Sequence, residues 1–168
     1  MKISATYPII LFQMELSDQY FYNLKEKAKG IFQAQKSIYN PYFKEQVILN
    51  SDGIHHLLFS ARKERSRAEQ IYKLRLLPLA LEIIRKSGTI QEYRKILSPV
   101  GEKSFRGELK MKEVEYWGLV AIIGEKKLKV RSILRRIGNG NITFWSVMLY
   151  SKRKNGQQKL FDENLDDT

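Results

Sequence analysis

Residues 127–150 read KLKVRSILRRIGNGNITFWSVMLY, and this stretch decides the fold. Two runs rich in β-branched and aromatic residues, Lys127–Ile137 and Ile142–Tyr150, flank the tetrapeptide GNGN. A glycine- and asparagine-rich turn between such runs is typical of a β-hairpin. A similar run, Glu113–Ile123, comes before them across the tripeptide GEK. The stretch therefore predicts an antiparallel meander of three strands.

Alternate residues of the middle strand fall into two sets that point to opposite faces. The set expected to face the core is Leu128, Val130, Ser132 and Leu134. The set on the opposite face is Lys129, Arg131, Ile133 and Arg135. Its members repeat every ~6.6–6.8 Å, so this face carries a row of cations. Arg136 breaks the alternation and predicts a β-bulge or the strand end nearby.

Helical patterns come before the sheet. Apolar residues recur three or four positions apart from Asp18 to Gln35 and from Arg62 to Lys86, which predicts two amphipathic helices. Pro78 is expected to kink or divide the second helix. Three shorter elements are also predicted. They are a strand at Gln46–Leu49, a strand or the approach to a helix at Ile54–Phe59, and a helix at Ile90–Leu97 that ends before Pro99. The fold class is therefore α+β, with N-terminal helices packed on one face of a small antiparallel sheet.

Composition excludes several classes of protein. The chain has 168 residues, of which 43% are hydrophobic and 29% charged, as expected for one folded domain. It has no cysteine, which excludes disulfide scaffolds, cysteine–zinc sites and thiol nucleophiles. No apolar run approaches the ~20 residues that cross a bilayer. We expect no membrane association and a cytoplasmic location.

The charge predicts a polyanionic partner. The formal net charge is +12, from 30 basic and 18 acidic residues. Residues 126–161 contain ten basic side chains and no acidic one. Like charges on one hairpin repel each other, which favours a bound polyanion over a purely solvated surface.

The two histidines, His55 and His56, are adjacent. In an extended chain they would point to opposite sides, so a shared metal site is not expected. A single imidazole in a basic groove suits general acid–base chemistry, because imidazole titrates near neutral pH. The alternative is a histidine with a purely structural role. The sequence does not choose between His55 and His56.

Other candidate residues lie on the predicted sheet and after the histidines. Ser146, between large apolar residues, is either a tolerated buried serine or a group that binds phosphate or orients a catalytic side chain. Arg131 and Arg135 carry guanidinium forks suited to phosphate oxygens. The residues expected to bind the nucleic-acid backbone are Lys63, Arg65, Arg67, Lys129 and Arg136. No dinucleotide fingerprint, P-loop or zinc-protease motif is present, so we expect no cofactor and no metal.

These residues carry a resemblance to a known family. The matching segments are Asp52-Gly53-Ile54-His55-His56-Leu57, Arg62-Lys63-Glu64-Arg65-Ser66, Val130–Gly140 and Phe144-Trp145-Ser146-Val147. Together they resemble the phage-associated branch of the barnase–EndoU–colicin–RelE nuclease superfamily. The resemblance covers roughly Gln46 to Lys154. It divides the chain into an N-terminal helical extension (1–45), a nuclease-like α+β domain (46–161) and an acidic tail (162–168) that we expect to be flexible.

The resemblance implies a barnase/RelE-like fold and metal-independent cleavage of RNA. It also implies a catalytic set of one histidine, one sheet arginine and one late-strand serine, matched by His56 or His55, Arg135 or Arg131, and Ser146. A more specific form of the nuclease hypothesis is a toxin that is directed at tRNA or the ribosome and is inhibited by an acidic antitoxin or immunity protein. The alternative hypothesis is a non-catalytic nucleic-acid-binding module or regulator whose basic strands only neutralise phosphates.

Overall fold

The computed structural model describes residues 18–60, 63–101, 103, 105 and 107–150. Its helices are α1 (Asp18–Ala34), α2 (Ser51–Leu58) and α3 (Arg67–Lys86). Its strands are β1 (Ser37–Asn40), β2 (Glu45–Ile48), β3 (Phe59–Ser60), β4 (Lys63–Glu64), β5 (Glu92–Val100), β6 (Lys110–Ile123), β7 (Leu128–Ile137) and β8 (Thr143–Leu149). The predicted α+β class is confirmed.

Six strands form one sheet in the order β1-β2-β8-β7-β6-β5. All neighbours are antiparallel except β2 and β8, which run parallel and pair at Ile48 and Thr143. The predicted β6–β7–β8 meander is confirmed. The two remaining strands, β3 and β4, form a small separate hairpin.

The helices cover one face of the sheet, as predicted. Helix α3 buries a stripe against it whose members are Gln70, Ile71, Lys73, Leu74, Leu76, Leu77, Ala80, Leu81, Ile83 and Ile84. Each fully buried leucine or isoleucine contributes roughly 1.5–3 kcal/mol. Helix α3 begins at a capping box between Ser66 and Glu69 and continues through Pro78 without division. The buried stripe on both sides of Pro78 offsets the hydrogen bond that the proline removes.

The predicted helix at Ile90–Leu97 is wrong, because Glu92–Val100 is strand β5. Apolar residues at 90, 93 and 97 fit a helix, but nine residues of β5 pair with β6 and override that local pattern. Pro99 is tolerated because β5 lies at the edge of the sheet. Of the two alternatives left open for Ile54–Phe59, the structure has the helical one, because helix α2 continues to Leu58.

Helix α1 shares the main core. Its Phe21, Ala28 and Phe32 are buried, and the Phe32 ring meets the Phe144 ring edge to face at 6.0 Å. The domain boundary expected at residue 45 falls inside the hydrogen-bonded β1–β2 hairpin. The expected acidic tail, 162–168, lies outside the described residues.

Candidate functional site

Helix α2 carries both histidines and lies unusually close to β8. The side chain of Asn50 caps the helix by accepting a hydrogen bond from the Gly53 backbone N–H. A Cβ atom at Gly53 would lie 2.9 Å from the Phe144 carbonyl oxygen and 3.0 Å from the Phe144 ring. Glycine is therefore required at this position for α2 to reach the sheet.

We expect Gly53→Ala to lower the free energy of unfolding by about 1–3 kcal/mol, because the added methyl overpacks the α2–β8 contact. Urea unfolding of the variant measures the loss. The matched control is Gly30→Ala in α1, where no atom lies within 4 Å of the added Cβ. That variant should gain about 0.5–1 kcal/mol. A Gly53→Ala protein as stable as Gly30→Ala would contradict the close-approach explanation.

A β-bulge in β8 sets the surroundings of α2. The β7–β8 register shifts so that Ile133 pairs with Ser146 and Leu134 with Phe144, which leaves Trp145 as the extra residue. The sequence placed an irregularity near Arg136; it lies between Ile133 and Leu134 instead. A bulge re-aims side chains, and Trp145 joins a second cluster with Val114, Tyr116 and Ile133, separate from the main core. We call the sheet face that holds this second cluster the outer face.

The Trp145 indole contacts both His56 and Arg135. The His56 ring stacks on it with centroids 4.1 Å apart and planes 20° apart. The Arg135 guanidinium carbon lies 3.4 Å from the indole centroid. We call these three side chains the indole cluster. Of the predicted site residues, His56 and Arg135 are thus brought together.

Burial and neighbouring charges shape the chemistry of Arg135. Burial lowers the pKa of Arg135, opposed by Tyr116, whose hydroxyl oxygen accepts a hydrogen bond from the guanidinium, and by Asp52. The Asp52 carboxylate lies 3.7 Å away. Burial likewise raises the pKa of Tyr116. Nε of Arg135, like that of Arg131 and Arg136, is buried without a hydrogen-bond partner among the described residues. A guanidinium that is partly dehydrated binds an anion strongly where the anion can reach it.

Ser146 adjoins the indole cluster but is fully buried. Its hydroxyl accepts a hydrogen bond of 3.1 Å from the buried ammonium of Lys73, which also donates to the Val147 carbonyl at 3.2 Å. Lys73 therefore holds the bulged segment of β8 from α3. Lys73 was not among the residues singled out from the sequence. The signal for its burial is that Leu76 and Leu77, three and four residues further on, belong to the apolar stripe of α3.

Arg131 does not join the indole cluster. Its guanidinium forms a buried ion pair of 2.9 Å with Glu92. Burial raises the pKa of Glu92, and the Arg131 charge opposes that rise. Arg131 and Arg135 share a face of β7, as predicted, but lie about 13 Å apart along the strand. The predicted pair of cooperating arginines is therefore reduced to Arg135 alone.

His55 also lies apart from the cluster. Its exposed ring stacks on Phe59 with centroids 4.6 Å apart. In a helix, adjacent residues point about 100° apart, so only His56 of the pair faces Trp145.

The five predicted backbone-binding cations lie at separate places. Lys63 is exposed on β4, and Arg65 Nε donates to the His56 carbonyl at 3.2 Å. Arg67 pairs with Asp18 and covers the Phe21 ring. The other two lie on the sheet. The Lys129 ammonium lies 4.0 Å from the centre of the Tyr150 ring, and Arg136 forms an ion pair with Glu45. Only Arg65 contacts a residue of the indole cluster.

Two cavities lie away from the indole cluster. The larger, about 500 Å³, is an apolar groove between α3 and the β6–β7 turn. The smaller, about 170 Å³, lies between α1 and α3. Neither is lined by a member of the cluster, so the cluster is distinguished by its chemistry and not by the volume of a cavity.

Neither a cluster of metal-binding side chains nor a membrane-spanning helix occurs among the described residues. They contain no group of three or more histidine, cysteine or acidic side chains placed to hold a metal ion. None of the helices among them is long and apolar enough to span a membrane.

The comparisons with known proteins gave no relative. No family model, no curated protein and no solved structure matches the chain.

Proposed function

We propose that the protein is a metal-independent RNA endonuclease that cuts by attack of the 2′-hydroxyl on the adjacent phosphorus. One observation carries the proposal: an imidazole and a guanidinium contact the same indole. The first group can take a proton and the second can bind a phosphate oxygen, which are the two tasks of this reaction.

His56 and Arg135 have separate roles in the proposed step. His56 removes the 2′ proton as the bond from O2′ to phosphorus forms and the bond from phosphorus to O5′ breaks. Arg135 stabilises the charge that develops on the non-bridging oxygens. The leaving O5′ takes its proton from water or from Lys63, since an arginine such as Arg65 does not release its proton. Ser146 orients the bulged strand and does not bind phosphate, because its hydroxyl is buried against Lys73.

The proposal includes membership of the nuclease superfamily that the sequence resembles. The α+β arrangement, with helices on one face of a mostly antiparallel sheet, is compatible with a barnase/RelE-like fold. Membership of the phage-associated branch, a cytoplasmic toxin role, tRNA or ribosomal RNA as target, and an acidic antitoxin or immunity protein as partner belong to the same proposal.

A second candidate function is a non-catalytic nucleic-acid-binding module. The observation that favours it is the burial of His56, of which only 3% is exposed. In a binding module this imidazole would serve as a packing group for Trp145. In an endonuclease, substrate binding must open the cluster enough for O2′ to reach the ring.

Cleavage chemistry separates the two functions. We expect the protein to cut a single-stranded RNA in excess EDTA and to leave the all-2′-deoxy strand of the same sequence intact, because that strand lacks the attacking hydroxyl. Gel analysis of both labelled strands measures this. A protein that cuts the deoxy strand has a different mechanism, and one that binds both strands, and tRNA and ribosomal RNA as well, but cuts none of them is a binding module.

A further inference from the structure

Strands β5 and β6 extend beyond the rest of the sheet. Strand β6 pairs with β5 from Lys110 onward, but with β7 only from Val114 onward. Residues 97–100 and 110–113 therefore form a two-stranded projection, which we call the β5–β6 arm. The arm lies at the end of the sheet where Arg135 pairs with Tyr116.

The outer face of the arm carries two cations on the strand that leads to Tyr116, the residue paired with Arg135. Side chains two residues apart share a face of a strand, so Lys110 and Lys112 lie on the same face as Tyr116. Lys112 is about 13 Å and Lys110 about 20 Å from Tyr116 along β6. Both lysines are exposed.

The two faces of the arm differ in charge balance. On the face that continues the helix-covered side, Glu113 of the arm forms an ion pair of 2.9 Å with Lys95, which lies on β5 just before the arm. On the outer face, no carboxylate of the described residues forms an ion pair with Lys110 or Lys112. Cations left unpaired beside a site for phosphate are placed to extend that site.

We propose that the β5–β6 arm is a phosphate-binding subsite for single-stranded RNA, with Lys112 and Lys110 contacting successive phosphates on one side of the scissile bond. The two lysines lie on one strand in line with Tyr116, across which Arg135 pairs, so a single phosphate chain can pass from Arg135 to both. This inference rests on the proposed function, since it takes Arg135 as the site of the scissile phosphate. It predicts that the protein prefers a strand of several nucleotides to a dinucleotide.

The test compares two charge-matched double variants, Lys110→Gln/Lys112→Gln on the arm and Lys27→Gln/Lys36→Gln, which removes two exposed cations on α1 and just after it. The probe is an all-2′-deoxy dodecamer, whose affinity is measured over a range of salt concentrations. Each phosphate contact on a single strand contributes about 0.7 to the slope of log K against log salt. The arm variant should reduce that slope by about 1.4, and the control variant should leave it unchanged.

Kinetics on cleavable RNA provide a second measurement. The arm variant should raise KM for an RNA dodecamer, leave its kcat unchanged, and leave both constants unchanged for a dinucleotide. Equal salt slopes in the two double variants, or an equal loss on the dinucleotide, would overturn the arm proposal. Absence of cleavage combined with a reduced slope in the arm variant would overturn the nuclease function and support the arm as a binding surface.

Discussion

Replacing His56 with glutamine is expected to lower kcat/KM for RNA cleavage by about 10²–10⁴-fold, the range that a positioned general base supplies. Glutamine keeps a planar polar group against Trp145 but cannot take the 2′ proton. Steady-state cleavage of a labelled RNA measures the effect.

The neighbouring histidine provides the control for this prediction. His55→Gln changes an exposed ring one residue away, outside the indole cluster, and should leave the rate within a few-fold of the native value. Because His56 is buried, the unfolding curve and the affinity for an all-2′-deoxy strand are measured on the same preparations. An equal rate in the two variants, with both folded, would remove His56 from the mechanism.

Replacing Arg135 with glutamine is expected to lower kcat by about 10²–10³-fold, because one well-placed donor to a developing oxyanion contributes ~2.7–4 kcal/mol. Its guanidinium lies on the indole that His56 contacts. Single-turnover cleavage at saturating enzyme measures the chemical step.

Arg131 is the control for Arg135, because its charge is already paired with Glu92 inside the protein. Arg131→Gln leaves the buried Glu92 carboxylate unpaired, which should cost about 3–5 kcal/mol of unfolding free energy. Turnover per folded molecule should stay near the native value. A large loss of turnover in folded Arg131→Gln, with little change in Arg135→Gln, would reverse the assignment of the two arginines.

The sequence was sufficient for the parts of the fold that local patterns determine. Alternation and glycine-rich turns predicted the β6–β7–β8 meander, and the spacing of apolar residues predicted α1 and α3. The strand β5 was missed because its apolar spacing also fits a helix, and only pairing with β6 decides between them. The extension of β6 past β7 is likewise a property of the assembled sheet.

The candidate site was predicted only in part for the same reason. Helix α2 directs His56 and not His55 toward Trp145. The sequence alone, considered as an extended chain, could not choose between the two histidines. The partners of Arg131 and Ser146 are Glu92 and Lys73, which are 39 and 73 residues distant in the chain. No local pattern indicates contacts of that separation. Trp145 contacts both His56 and Arg135 because of a one-residue bulge in β8, and the alternation of apolar and polar residues does not predict a bulge there.

The most direct test of the central claim is the chemistry of the product ends. After cleavage of a defined RNA in EDTA, transesterification must leave a 2′,3′-cyclic phosphate on one fragment and a 5′-hydroxyl on the other. Mass spectrometry of the fragments distinguishes these ends from those of direct hydrolysis. Cyclic phosphate ends that disappear in His56→Gln are the result we predict, whereas 5′-phosphate ends would contradict attack by the 2′-hydroxyl.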